Sequence, residues 1–213
     1  NLPPTDAATD RTGRAILLSG AGLVLLGWVV AIASVTADRR STLAVAELDL
    51  RNTTRAYAEH VDKTLQAGDQ ALRFVRAEYL RRQPQALDLQ ADIAQGDIIQ
   101  ADFNQLGIIG ADGWMAASSM PFSRVDLSER EHFCVHRESQ GDPLFLSKPV
   151  LGKVSGKWSL QMTRRITLPD GRFGGVAVVS LAPAYFSRFF AAASLGQDLE
   201  IALVGLDGIV RAS

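Results

Sequence analysis

The chain of 213 residues carries 22 lysines and arginines against 23 aspartates and glutamates, a formal net charge of −1. That balance supplies no bulk attraction for nucleic acid, and the length bounds the chain to one or two domains. A single cysteine, Cys134, excludes an internal disulfide and a cysteine-based metal cage, and in an oxidising compartment a lone thiol is best kept buried.

Residues 1–14, "NLPPTDAATDRTGR", lack periodicity and read as a flexible tail. Residues 15–37, "AILLSGAGLVLLGWVVAIASVTA", hold no charge. As a helix they span roughly 35 Å, enough for a hydrocarbon layer of about 30 Å, and no polar face interrupts them. A transmembrane helix is predicted. A cleaved secretory signal ending at "SVTA" competes with it, but the run exceeds a usual signal core of about 7–15 residues. Arg11 and Arg14 on one side balance Arg39 and Arg40 on the other, so the positive-inside rule is close to a tie.

In residues 38–82 the apolar positions Leu43, Leu50, Tyr57, Val61, Leu65, Leu72, Val75 and Tyr79 recur at sevens, fours and threes. This is the stripe of one long helix, ended by Pro84. Such a helix must lean on a sheet, on a sister helix in a dimer, or on both. Gly68 in the stripe marks a bend or a close neighbour. A short helix and a loop are expected over residues 83–101.

From Phe103 the period becomes strand-like. "FNQLGIIGADGWMAASS" predicts a hairpin turning at Asp112-Gly113. Ser128 and Glu131 have capping-box spacing, so a helix is expected from Ser128. "PLFLSKPVLGK" predicts a strand with an edge or bulge at Pro149. A long hairpin turning at Asp170-Gly171 and a short apolar helix, "AYFSRFFAAAS", follow. The fold class is α+β: the long helix packs on one face of a five-stranded antiparallel sheet, leaving a cavity on the other.

The chain ends in "IALVGLDGIVRAS", which repeats "GIIGADGWMAAS" at residues 107–118: apolar strand, Gly-x-Asp-Gly, apolar strand, Ala-Ser. Residues 83–196 then form a first module and residues 197–213 the first hairpin of a second. Chance is the competing explanation, since x-Asp-Gly-x between apolar strands is common.

The membrane pass, the long helix, "VDLSEREHF", "SKPVLGKVSGKWSLQMTRRI", "DGRFGGVAVVSL" and "YFSRFF" together resemble a bacterial double Cache sensor, two PAS-like modules in tandem outside the cytoplasmic membrane. "SGKW" before "TRRI" is similar to Cache regions attached to GGDEF/EAL diguanylate cyclases and phosphodiesterases. The resemblance implies residues 1–14 in the cytoplasm, a sensory region in the periplasm, and a cyclic-di-GMP output; a histidine kinase or chemoreceptor is the alternative output. The Tyr/Arg/Trp/Tyr/Asp constellation of the amino-acid-binding Cache subset has no counterpart here.

Alternation in "KWSLQMTRRIT" puts Trp158, Leu160, Met162, Arg164 and Ile166 on one face and Lys157, Ser159, Gln161, Thr163 and Arg165 on the other. Arg164 in an apolar row must be paired. It reads either as a fork for a ligand carboxylate or phosphate beside Trp158, or as the partner of an acid such as Asp126 or Glu129. If this row packs on the long helix, Arg165 turns toward the cavity instead. Arg130 and His132 are expected on a lid over the cavity, and Lys148 with Ser147 at its rim. His132 and His136 have a metal-compatible spacing without an evident third ligand, so they read as packed or pH-responsive helix residues.

No nucleophile elbow, phosphate loop or His-Glu-x-x-His motif is present, so no catalysis is expected of this segment. The sequence therefore predicts a membrane-anchored, homodimeric sensor of a small-molecule ligand, with no cofactor and no nucleic-acid partner. A dimerisation module with a filled cavity, and a periplasmic metal enzyme using His132 and His136, are the alternatives.

Overall fold

The computed structural model describes residues 6–82, 87–94, 103–191 and 201–213. These divide into two compact units, Asn1–Ala56 and Tyr57–Ser213. One continuous helix, α1 (Asp6–Arg82), runs through both, so the membrane span and the long helix are not separate elements.

The described large apolar side chains of the first unit are exposed. Leu17, Trp28 and Val30 are 74, 65 and 60% exposed. Among the described residues α1 is the helix long and apolar enough to cross a membrane. Leu43 and Leu50 lie in this unit and are exposed. The buried stripe begins only at Tyr57, which corrects the expectation of a stripe continuous from Leu43.

The second unit is built on an antiparallel sheet. Its strands are β1 (Gln105–Gly110), β2 (Met115–Ser118), β3 (Phe145–Leu146), β4 (Val150–Leu151), β5 (Trp158–Thr167) and β6 (Phe173–Leu181). The order is β2-β1-β6-β5-β3, with β4 also on β5. β4 pairs with the start of β5, Val150 with Ser159, and β3 with its middle, Phe145 with Thr163, so together they form the expected fifth strand, broken at Pro149. Proline has no N–H to give the ladder. The Ser147 hydroxyl repairs the gap, accepting from the Gln161 N–H at 2.9 Å.

Alternation sorts the sheet into two faces. Leu106, Ile108, Leu160, Met162, Ile166, Ala177, Val179 and Leu181 form one core with Leu72, Val75 and Tyr79 of α1. Helix α2 (Leu89–Ala94) adds Leu89 to that core, and Asp92 receives Arg82 Nη1 at 2.8 Å. Ile109, Val176 and Val178 face the other way, against Leu127 and Phe133 of the segment leading into and forming α3 (Glu131–Glu138). Helix α3 starts three residues later than expected. Arg130 occupies its N-cap without a side-chain cap, and Ser128 instead gives its own N–H to Asp126.

Helix α4 (Pro183–Ala191) follows β6, and a hairpin of β7 (Leu203–Val204) and β8 (Val210–Ala212) follows it. The repeated motif folds the same way twice. The N–H of Gly113 donates to Gly110 O, and that of Gly208 to Gly205 O, both at 2.9 Å. Trp114 N–H donates to Asp112 Oδ1 and Ile209 N–H to Asp207 Oδ1, both at 3.1 Å. The expected module boundary at 196/197 lies outside the described residues.

Gly68 is a contact point and not a bend. A Cβ there would stand 2.7 Å from Met162 Sδ. The missing side chain lets α1 sit down on β5. Gly68→Ala is expected to change stability by less than about 1 kcal/mol, because the flexible Met162 tip can yield and alanine favours the helix. Gly68→Leu should cost about 1–3 kcal/mol by overpacking. Denaturant unfolding of both variants checks the difference.

Candidate functional site

The face of the sheet away from α1 carries a row of polar side chains that the strand register sets side by side. Gln105 opposes Ser180, and Ser180 opposes Gln161. Gln105 Nε2 donates to Ser118 Oγ at 2.9 Å, Ser180 Oγ donates to Gln161 Oε1 at 2.7 Å, and Gln161 Nε2 donates to Ser159 Oγ at 2.7 Å. All five side chains are buried. A buried polar row is stable only when it is satisfied, and this one is satisfied within the sheet.

A cavity of about 20 Å³ lies over this row. Gln105, Gln161 and Ser180 form its polar floor, and Ile109, Met115 and Val178 its apolar floor. Leu127, Arg130 and His132 wall one side, and the segment Val150–Val154 closes the top. Two hydrogen bonds fasten that lid. Arg130 Nη2 donates to Leu151 O at 3.1 Å, and Lys153 Nζ donates to Asp126 O at 2.7 Å. Room of this size holds about one water molecule.

His132 is 5% exposed and faces this cavity. Burial, with the positive charges of Arg130 and His136 nearby, pushes its pKa down to about 4. His136 is fully buried, with Nε2 3.0 Å from Thr163 Oγ1 and its ring edge-on to Phe145; burial lowers its pKa as well. Among the described residues no cluster of three or more metal-binding side chains includes these histidines. Cys134 is half-buried, not buried, and its thiol donates to Ser128 O at 3.3 Å.

The structure brings Arg130 and His132 to the cavity, and it corrects three other expectations. Arg164 faces α1. It pairs through Nε and Nη2 with Asp69, so its acid partner is neither Asp126 nor Glu129. Its Nη1 also donates to Asp142 O at 2.6 Å. The Asp69 carboxyl is held below its usual range chiefly by the hydrogen bond from Arg164. Trp158 is 62% exposed at the end of β5, opposite Leu151, and does not line the cavity. Lys148 is exposed and also outside the lining, because Pro149 turns the edge strand there; Ser147 is consumed by β5. Arg165 does point to the cavity side, but it is spent on α3: Nη1 donates to His136 O and the guanidinium lies 4.7 Å over the Phe173 ring.

Sequence reasoning missed Gln105, Lys153, Gln161 and Ser180 as cavity residues. A signal existed for two of them: Ser180 is the lone polar residue of "VAVVSL", and Gln161 sits mid-way along a central strand. Lys153 lies in a loop, where no periodicity operates.

No family model matches the chain, and no curated protein does. Solved structures do match. The extracellular domain of rpHK1S-Z16, described as a histidine kinase, is 29% identical, with 79% of this chain and 70% of that one covered at a TM-score of 0.69. The ligand-binding domain of Pseudomonas fluorescens chemoreceptor CtaA, in complex with L-isoleucine, is 15% identical over 75% of this chain and 64% of its own, TM-score 0.55. That of Campylobacter jejuni chemoreceptor Tlp3, in complex with 4-methylisoleucine, is 11% identical over 77% and 66%, TM-score 0.51. The chain thus has the fold of Cache-type extracellular sensor domains of histidine kinases and chemoreceptors.

Protonating His132 must charge a group that the fold keeps neutral. Its folded pKa lies below the unfolded value, so the unfolded chain binds the extra proton first as pH falls. Stability is complete above about pH 6.5 and is lost toward pH 4, by on the order of 3 kcal/mol for this group. His132→Gln should remove that part of the slope. Unfolding curves of both proteins from pH 7 to pH 4 that decline in parallel would contradict it.

Proposed function

We propose that this chain is the membrane-anchored, outward-facing sensory region of a signalling receptor, and that the cavity under the Val150–Val154 lid is its ligand site. The cavity carries the proposal. It joins a polar floor, an apolar wall and two cationic side chains in a fold that relatives use to hold small molecules. Occupancy would favour one packing of β5, and β5 carries α1 on its opposite face. A ligand biases such an equilibrium only by its differential affinity for the two states.

The neighbours named above belong to a histidine kinase and to chemoreceptors, so those outputs have support that the diguanylate cyclase output lacks. Residues 1–14 would lie in the cytoplasm, with the sensory region in the periplasm. Leu43 and Leu50, seven apart and exposed, offer a seam that a second copy would cover in a homodimer. The repeated hairpin at residues 203–212 would open a second module.

A second reading has one observation in its favour. Room for about one water means that no metabolite fits until the lid shifts. In that reading the interior is simply packed and the domain dimerises without a ligand.

Thermal unfolding of the full chain in detergent against a metabolite panel separates the two. The sensing reading expects at least one compound to raise the melting temperature by several degrees, about 2.7 kcal/mol at a hundredfold excess over Kd. Val178→Leu, which fills the cavity, should abolish that shift while leaving the unliganded melting temperature equal or higher. No shift with any compound, or a shift that survives Val178→Leu, would count against the site.

A further inference from the structure

We propose that α3 and the lid it fastens form an acid-operated latch: protons taken up by His132 and His136 detach the helix from the sheet and free the Val150–Val154 segment, while α1 and the sheet stay folded. The latch operates whether or not the cavity holds a ligand. Helix α3 buries three side chains, His132, Phe133 and His136. Two of the three are imidazoles that stay there only while neutral, since an unpaired buried charge is costly. Arg130, at the N-cap of the same helix, holds the lid through Leu151 O at 3.1 Å. Whatever moves the helix therefore moves the tether of the lid.

The surroundings of His132 hold cations. Arg130 and His136 act on it from its own side, and the lid brings Lys153. Strands β1, β5 and β6 bring Gln105, Gln161 and Ser180, which carry no charge. Among the described residues no aspartate or glutamate lines the cavity, and Glu131 and Glu138 of α3 itself are exposed. A proton on His132 would add a third positive charge to a space that holds about one water molecule. Burial, then Arg130 and His136, accordingly push its pKa down to about 4. His136 is no better placed. Its Nε2 meets Thr163 Oγ1 at 3.0 Å, while Nδ1 has no hydrogen-bond partner among the described residues. In either tautomer a second proton leaves an Nδ1–H buried without an acceptor. Arg164 and Arg165 of β5 add their charges, and Arg165 Nη1 already donates to His136 O. Among the described residues the acid that acts on His136 is Asp142, and it is engaged by Arg76 at 2.8 Å and by Arg164 at 3.4 Å. Burial is the largest effect on His136 and lowers its pKa too.

The two faces of the sheet have separate cores, which makes the opening local. Phe133 and Leu127 pack with Ile109, Val176 and Val178, whereas Leu72, Val75 and Tyr79 of α1 pack with the opposite face. Lifting α3 gives up the smaller cluster and leaves the α1 core intact. An imidazole exposed in the open state takes its proton near pH 6.5, and His132 in the closed state only near pH 4. The closed latch is therefore fully favoured above about pH 6.5 and loses ground as pH falls toward 4. Within that window each pH unit raises the open fraction up to about tenfold through His132 alone, and His136 adds to it in the same direction.

Hydrogen exchange of the full chain in lipid nanodiscs tests this, read by mass spectrometry from about pH 7 to about pH 5 and corrected for the intrinsic pH dependence of amide exchange. Residues 131–138 and 150–154 are expected to lose protection by about tenfold or more over that range, while β6 and the α1 segment around Leu72 and Val75 keep theirs. His132→Gln and His136→Asn, neutral at every pH, should each reduce the loss, and the double variant should remove most of it. Equal protection of α3 at both ends of the range overturns the latch. So does a loss spread evenly over α1 and the sheet, which is global unfolding, and so does a pH dependence that survives in the double variant. The unmutated protein supplies a second measurement should a variant fail to fold. NMR of isotope-labelled imidazoles is expected to show at least one of the three histidines titrating below about pH 5.5, and none doing so overturns the latch as well.

Discussion

The ion pair between Asp69 on α1 and Arg164 on β5 is the constraint on which the second unit depends. Arg164 stands in a row of apolar residues that face α1, with its side chain 9% exposed. A guanidinium in that position is tolerable only when its donors are taken up. Asp69 takes two of them, and the Asp142 carbonyl a third. Around this core Arg73 reaches Asp69 at 3.0 Å, and Arg76 joins Asp142 at 2.8 Å and the Arg165 carbonyl at 3.0 Å. The network therefore ties three elements together: helix, central strand, and the loop after α3. An ion pair of this kind adds little net stability over an apolar replacement, but it penalises any arrangement that separates its members. It fixes which part of the helix meets which strand. Gly68, beside Asp69, removes the side chain that would hold the two elements apart.

Once one face of the sheet belongs to α1, the other is free to build a site. Strand β5 is the shared element. Met162, Arg164 and Ile166 point to the helix, while Gln161, Thr163 and Arg165 point to the cavity side and α3. A displacement of Gln161 by an occupant below the lid cannot leave its neighbour Met162 untouched, because interiors are close-packed. That gives a physical route from cavity to helix across a single strand. His136 and Arg165 stiffen the outer layer, so the softest part of the site is the lid, with its two-residue strand and two side-chain tethers.

Much of this was legible in the residues. The membrane-length run, the long helix, both Asp-Gly hairpins, the broken strand at Pro149 and the sorting of β5 into two faces follow from hydrophobic period and turn chemistry, which act locally. The partner of Arg164 was not legible. Alternation says that this residue needs an acid, but Asp69 lies in a different element, and only tertiary packing brings it near. Trp158 lies away from the cavity for a related reason: alternation puts it in the row that faces α1, and it stands exposed at the strand's end. Ser128 and Glu131 match a capping box in spacing, yet Asp126 claims the Ser128 N–H and the helix starts later. The placement of Arg130 and His132 beside the cavity was legible from their position near a helix start. Lys153 was not, since a loop lysine carries no periodic signal.

A double-mutant cycle on Asp69 and Arg164, read by denaturant unfolding of the full chain, tests the central claim most directly. Asp69→Ala and Arg164→Met would be measured singly and together. The account predicts that each single change costs about 3 kcal/mol or more, by stranding its partner, and that the double variant recovers on the order of 2 kcal/mol of the summed loss. Additive losses, with a coupling below about 0.5 kcal/mol, would show that helix and sheet are held together by something else.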